Sequence, residues 1–88
     1  MYVLARTTIE DHEALVPYSE AEQRAGRAMR DDGVLIVSYR RGKDASDVAL
    51  ILEVADFNEA RRQLERLPLV ANKVVAFELE EIFHLKVG

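Results

Sequence analysis

A proline placed between a helical pattern and a strand pattern limits this chain more than any other feature. Residues 64–82, LERLPLVANKVVAFELEEI, begin as the last turn of an amphipathic helix and stop at Leu67-Pro68. They then run through a short connection into a β-rich strand over residues 74–82. Proline lacks an amide hydrogen and pushes the residue before it toward extended backbone, so the pattern predicts a helix boundary at Leu67. A helix that ends at Leu-Pro-Leu and feeds a last strand closes a small α+β domain. The rest of the chain has to supply its other parts.

Tyr2–Thr8, rich in aromatic and β-branched residues, reads as a first strand. Residues 10–15 form an acidic connection or short helical turn, with Thr8 and Asp11 spaced as a capping box that has Asp in the Glu place. A first helix is expected over residues 17–32, with Pro17 in its first turn. Its inward stripe is Tyr18, Ala21, Ala25, Ala28 and Met29. A start at Asp11 would instead require a bend at Pro17. Gly33 ends the helix at the place where a left-handed residue is least costly as glycine. Residues 34–40 (VLIVSYR) form the second strand, residues 41–46 (RGKDAS) a polar hairpin loop, and residues 47–54 (DVALILEV) the third strand. Asp56 and Glu59 then read as a capping box for a second helix reaching Arg66, with Phe57, Ala60, Leu64 and Leu67 on one stripe. The order β-α-β-β-α-β is the ferredoxin-like arrangement. It implies one α+β domain over residues 1–88, with an antiparallel four-stranded sheet, strands one and three central, and two helices on one face.

Composition narrows the functions open to such a domain. No cysteine is present, so disulfides, thiolate metal sites and cysteine nucleophiles are excluded. His12 and His84 lie at opposite ends of the chain, which argues against a zinc site. A net charge of −4 with interleaved cations lacks the basic patch that nucleic acid or an anionic membrane would want. No apolar run is long enough to span a membrane and no signal-peptide pattern opens the chain, so a cytoplasmic protein is expected.

The third strand carries a further inference. Val48, Leu50, Leu52 and Val54 alternate to one face, while Ala49 and Ile51 take the other. A sheet covered on one side only should alternate apolar with polar residues, yet this strand and residues 34–37 are apolar on both faces. Two helices cover one face, and a second copy of the chain is the simplest cover for the other. A homodimer or higher homo-oligomer is therefore expected.

Several residues could carry chemistry. Glu22, beside the small Ala21 and Ala25, reads either as a carboxylate at the edge of an apolar pocket lined by Tyr18 and Met29 or as a solvated helix glutamate. In the first case its pKa would be raised and it could shuttle a proton. Glu53, in an otherwise apolar strand, is either a ligand contact or half of a strand-end ion pair with Arg6 or Arg40. Tyr39 and Arg40 end the second strand on opposite sides, and Arg40 could hold a substrate carboxylate. His12 is positioned to reach a pocket mouth, where an imidazole can serve as acid or base, or is simply solvated. Gly26, inside the helix, is ascribed to close packing on the sheet.

Asp56-Phe57 opening a helix, Leu67-Pro68-Leu69 ending it, and Gly33 eleven residues after Glu22 resemble the muconolactone isomerase-like group of dimeric α+β barrel proteins. The resemblance covers residues 22–82. It implies an oligomeric enzyme that moves a proton in an unsaturated lactone or a related aromatic-derived or polyketide-like small molecule, with no metal and no cofactor. The resemblance points to Glu22 as a catalytic residue; the residues read by themselves add His12 as a catalytic candidate and Tyr18, Met29, Tyr39, Arg40 and Glu53 as candidate substrate-binding ones. The group's first helix carries a Glu-Lys pair where this chain has Glu22-Gln23, so the acid matches and the lysine does not. Pro68-Leu69-Val70-Ala71 is also similar to the YCII-related proteins, whose histidine and aspartate are replaced here by Glu22 and Leu67. A non-catalytic binding or assembly domain of the same fold is the alternative.

Overall fold

The computed structural model describes residues 1–85. In chain order it contains β1 (Tyr2–Thr8), a 3-10 turn (Glu13–Tyr18), α1 (Ser19–Asp31), β2 (Leu35–Arg41), β3 (Asp47–Glu53), α2 (Phe57–Leu64), α3 (Pro68–Ala71) and β4 (Glu78–Ile82). The strands form one antiparallel sheet in the order β2-β3-β1-β4, so strands one and three are central as expected. This is the ferredoxin-like α+β sandwich.

Register explains where the core sits. Val3 stands opposite Leu52, and Ala5 opposite Leu50, on the face that the helices cover. Met29 from α1 and Ala60 and Leu64 from α2 close over these residues, joined by Leu35, Val54 and Leu67. Among the described residues no polar or charged side chain is buried. The opposite face carries Tyr2, Leu4 and Arg6 from β1 against Glu53, Ile51 and Ala49 from β3. Among the described residues, no helix covers it. Strand β2 contains a bulge: Leu35 faces Leu52 and Val37 faces Ile51, leaving Ile36 unpaired between them.

The helices depart from expectation in instructive ways. The helical path begins at Glu13, two residues after Asp11, whose carboxylate accepts from the amides of Glu13 and Ala14 at 3.1 and 3.3 Å. Pro17 falls inside the 3-10 turn, and the α-helix proper starts only at Ser19. Thr8 forms no capping box, because its hydroxyl instead donates to Asp47 across the sheet at 3.0 Å. Ala28, placed on the inward stripe, is exposed; Met29 alone of α1 is fully buried. Gly26 needs no close-packing explanation, since a Cβ there would meet nothing within 4 Å.

Asp56 does cap α2, accepting from the Glu59 amide at 2.7 Å. The Glu59 carboxylate does not return the bond, because it is held by Arg62 and by Gln63. The helix ends at Leu64 rather than Arg66, and Arg66 reaches Asp32 at 2.7 Å to tie the ends of α2 and α1 together. Pro68 is the larger correction. Leu67 is extended, at φ −79° and ψ 121°, but Pro68 then opens a new helical turn, because a missing amide hydrogen is harmless at a first helical position. That turn postpones β4 from residue 74 to Glu78.

Candidate functional site

The uncovered face of the sheet is concave near the ends of its strands. A hollow of about 860 Å³ opens there, floored by Leu4 and Ala49 and flanked by Tyr39. Arg6 and Glu78 also line it, opposite each other across β1 and β4. Arg41 reaches Asp47 at 3.9 Å, whereas Arg6 enters no ion pair among the described residues. Tyr39 is 56% exposed. A ring lying on Leu4 and Ala49 would therefore meet an aromatic side chain and an unpartnered guanidinium.

One end of the hollow abuts the loop that joins β2 to β3. The Ile9 amide donates to the Ser46 carbonyl at 2.7 Å and pins this loop to the segment after β1. His12 Nε2 then lies 2.9 Å from Ser46 Oγ. The Asp44 carboxylate accepts from the Ser46 amide at 3.3 Å, and its pKa is lowered, chiefly by a hydrogen bond from the Ser46 side chain. Histidine, serine and aspartate thus meet, but in an order unlike a nucleophilic triad. The carboxylate holds the serine rather than the second imidazole nitrogen, so the imidazole lacks the partner that would fix its tautomer and orientation as a base. Ser46 and Asp44 were not singled out from sequence, although Asp-x-Ser in a polar loop is a recognisable turn signature.

The expected site residues divide between the two faces. Tyr39 and Arg40 both line the hollow; His12 is not among its lining residues and is tied to Ser46, the neighbour of the lining residue Asp47. Glu53 is exposed at the far end of β3, without the expected ion pair to Arg6 or Arg40. It faces Tyr2 instead, whose phenol is raised in pKa by a hydrogen bond to the Glu53 carboxylate and by its charge.

Glu22, Tyr18 and Met29 belong to the helix side. Met29 is fully buried in the core, so it cannot line an accessible pocket, and the helix–sheet space where such a pocket was expected is filled by side chains. Glu22 is half-buried, and its Oε1 accepts from the Leu69 amide at 3.0 Å. That amide is one of the unpartnered donors of the first turn of α3, so the carboxylate acts as a cap supplied from another helix. Burial raises its pKa, and the Leu69 hydrogen bond partly offsets the rise. Among the described residues no group of three or more His, Cys, Asp or Glu side chains could hold a metal ion, and no helix is long and apolar enough to cross a membrane.

A solved structure shares this architecture. It is 5-chloro-2-hydroxyhydroquinone dehydrochlorinase from Burkholderia phenoliruptrix AC1100, in complex with 2,5-dihydroxybenzoquinone. The two chains superpose with a TM-score of 0.75 at 16% identity, over 96% of this chain and 95% of the other. The shared architecture is the ferredoxin-like α+β sandwich. No family model and no curated protein sequence matches the chain.

Proposed function

We propose that the chain is a small enzyme of the muconolactone isomerase-like kind, moving a proton in an unsaturated lactone or related ring-derived acid. We place that chemistry at the open face of the sheet, completed by a second copy of the chain. The observation that carries the reading is the hollow itself, where Tyr39, Arg40 and the unpartnered Arg6 surround an apolar floor. Its volume lies within the range of small-molecule sites. The shared fold with an enzyme that acts on a chlorinated hydroxyhydroquinone supports a ring-shaped substrate.

In this reading Arg6 or Arg40 holds the substrate carboxylate through paired N–H donors. The imidazole of His12 takes a proton from a ring carbon as the double bond shifts, and returns it to another carbon. Substrate and product differ only in where that proton and the π electrons sit. Glu22, the acid suggested by the family likeness, lies on the other side of the sheet and serves α3.

Following absorbance during incubation with muconolactone tests the reading. Turnover should fall by about a hundredfold in His12→Ala, the usual scale of general acid–base catalysis, with substrate affinity retained. Unchanged turnover would remove His12 from the reaction. Absence of both turnover and binding would favour a non-catalytic binding or assembly domain, a reading supported by the filled helix–sheet space around Met29.

A further inference from the structure

Helices α1 and α3 end in the same hydrogen-bond pattern, with different residues at the turning point. After α1 the Gly33 amide donates to the Arg30 carbonyl at 3.0 Å, and the Val34 amide reaches back to Met29 at 2.9 Å. After α3 the Lys73 amide donates to Val70 at 3.0 Å, and the Val74 amide reaches back to Leu69 at 2.8 Å. Both are Schellman closures, which require a left-handed residue at the turn. The φ angle is +77° at Gly33 and +59° at Lys73. A lysine backbone is disfavoured there, and the turn alone would be served better by glycine.

The Lys73 side chain borders a second hollow of about 750 Å³, between α2, the segment after α3 and the start of β4. Phe57, Val70, Phe77 and Leu79 line it, all partly buried against the core. Arg61 lies on the same lining, and Glu65 is the one acid among the lining residues. Among the described residues neither Arg61 nor Lys73 enters an ion pair. In a chain of net charge −4, this rim is locally positive.

We propose that this groove is a second binding site, taking an amphipathic carboxylate. Its hydrocarbon or aryl tail lies on the apolar lining, and its head group sits between Arg61 and Lys73. The guanidinium presents a fork of donors and the ammonium a point charge, a pairing suited to a carboxylate. The inference stands apart from the reading of the open sheet face, since Ala76 alone lines both hollows.

Calorimetric titration of the full chain with octanoate and with 1-octanol tests it, with amide shifts in NMR locating the site. Octanoate should bind with shifts at Phe57, Lys73 and Phe77, and octanol should bind about tenfold more weakly or worse, as loss of a charge-assisted contact implies. Lys73→Gly and Arg61→Gln should each weaken octanoate about tenfold by the same reasoning. Lys73→Gly should also keep or raise the melting temperature, because glycine relieves the turn. No binding of octanoate, equal binding of octanol, or shifts centred on Leu4 and Ala49 would overturn the site. So would full affinity in Lys73→Gly. A lowered melting temperature in Lys73→Gly would overturn the argument from the turn.

Discussion

The two faces of the sheet are made by alternate residues of the same strands, yet they are finished to different degrees. On the helix side Val3, Ala5, Leu50 and Leu52 are at most 7% exposed and meet Met29 and Leu64. On the other side Leu4, Ala49 and Ile51 are only partly covered, and charged Arg6, Glu53, Glu78 and Glu80 share the surface with them. The helix side is a closed core that supports the fold. The open side has the mixed character of a surface that meets a partner or a ligand, with apolar area at its centre and charge around it. Neighbours in sequence can therefore be used to separate stability from function, because Ile51 and Leu52 differ by one residue and one face.

Leu52→Ala should show the largest effect, a loss of about 2–5 kcal/mol in denaturant unfolding, as for other fully buried leucines. Ile51→Ala should cost clearly less in dilute protein. Equal losses at the two positions would mean that the open face is as fully packed as the core, and the comparison between faces would fail.

Ile51→Lys asks what the open face is for. Burying that face against a second copy should remove about 1,200–2,000 Å² of surface, as in stable interfaces of ordinary size. The substitution should weaken self-association by roughly a hundredfold, the scale of one unpaired charge in an apolar contact, or prevent folding. Glu65→Lys, at the exposed C-cap of α2 and away from the open sheet face, should leave association intact. Sedimentation at micromolar concentration separates these outcomes, and a monomeric native chain would show that the open face needs no copy.

Glu22→Gln probes the helix side with a smaller effect. The folded-state pKa of Glu22 is raised, so its protonated form favours the native state. That contribution is complete below the ordinary value of 4.5 and is lost as pH rises through the raised folded value. Native stability should therefore decline over that window relative to Glu22→Gln, whose amide oxygen still accepts from Leu69. The difference should stay below about 1 kcal/mol, since a half-exposed carboxylate is screened by solvent. Denaturation midpoints of both proteins at several pH values check this, and parallel curves would show that Glu22 has no part in the pH dependence.

The elements legible in the sequence were those whose signals are local. Gly33 ends α1, Asp56 caps α2, and alternation in Val48–Leu50–Leu52 marks the core face, because each depends on residues a few positions apart. Pro68 was ambiguous for a physical reason: the property that stops one helix also suits the first position of the next. The Glu22–Leu69 bond spans 47 residues, and no local pattern announces it. Met29 was misplaced because one apolar stripe serves equally for a core and for a pocket wall. Tyr39 and Arg40 could be placed at a strand end from the local pattern alone, whereas the His12–Ser46 contact depends on a hairpin folding back on the segment after β1.

The bulge at Ile36 has a consequence for how this protein can behave in a crowded solution. Strand β2 is one border of the sheet, and a straight border offers a row of free amides and carbonyls on which another chain could extend the ladder. An unpaired residue there breaks the spacing that such an extension needs. The opposite border, β4, carries Glu78, Glu80 and Glu81, so two copies brought side by side would repel each other. Sideways growth is thus obstructed at both borders while the broad face stays open. Copies that met face to face would use up the surface that joined them, and such an assembly would halt at a finite particle instead of running on into a fibre.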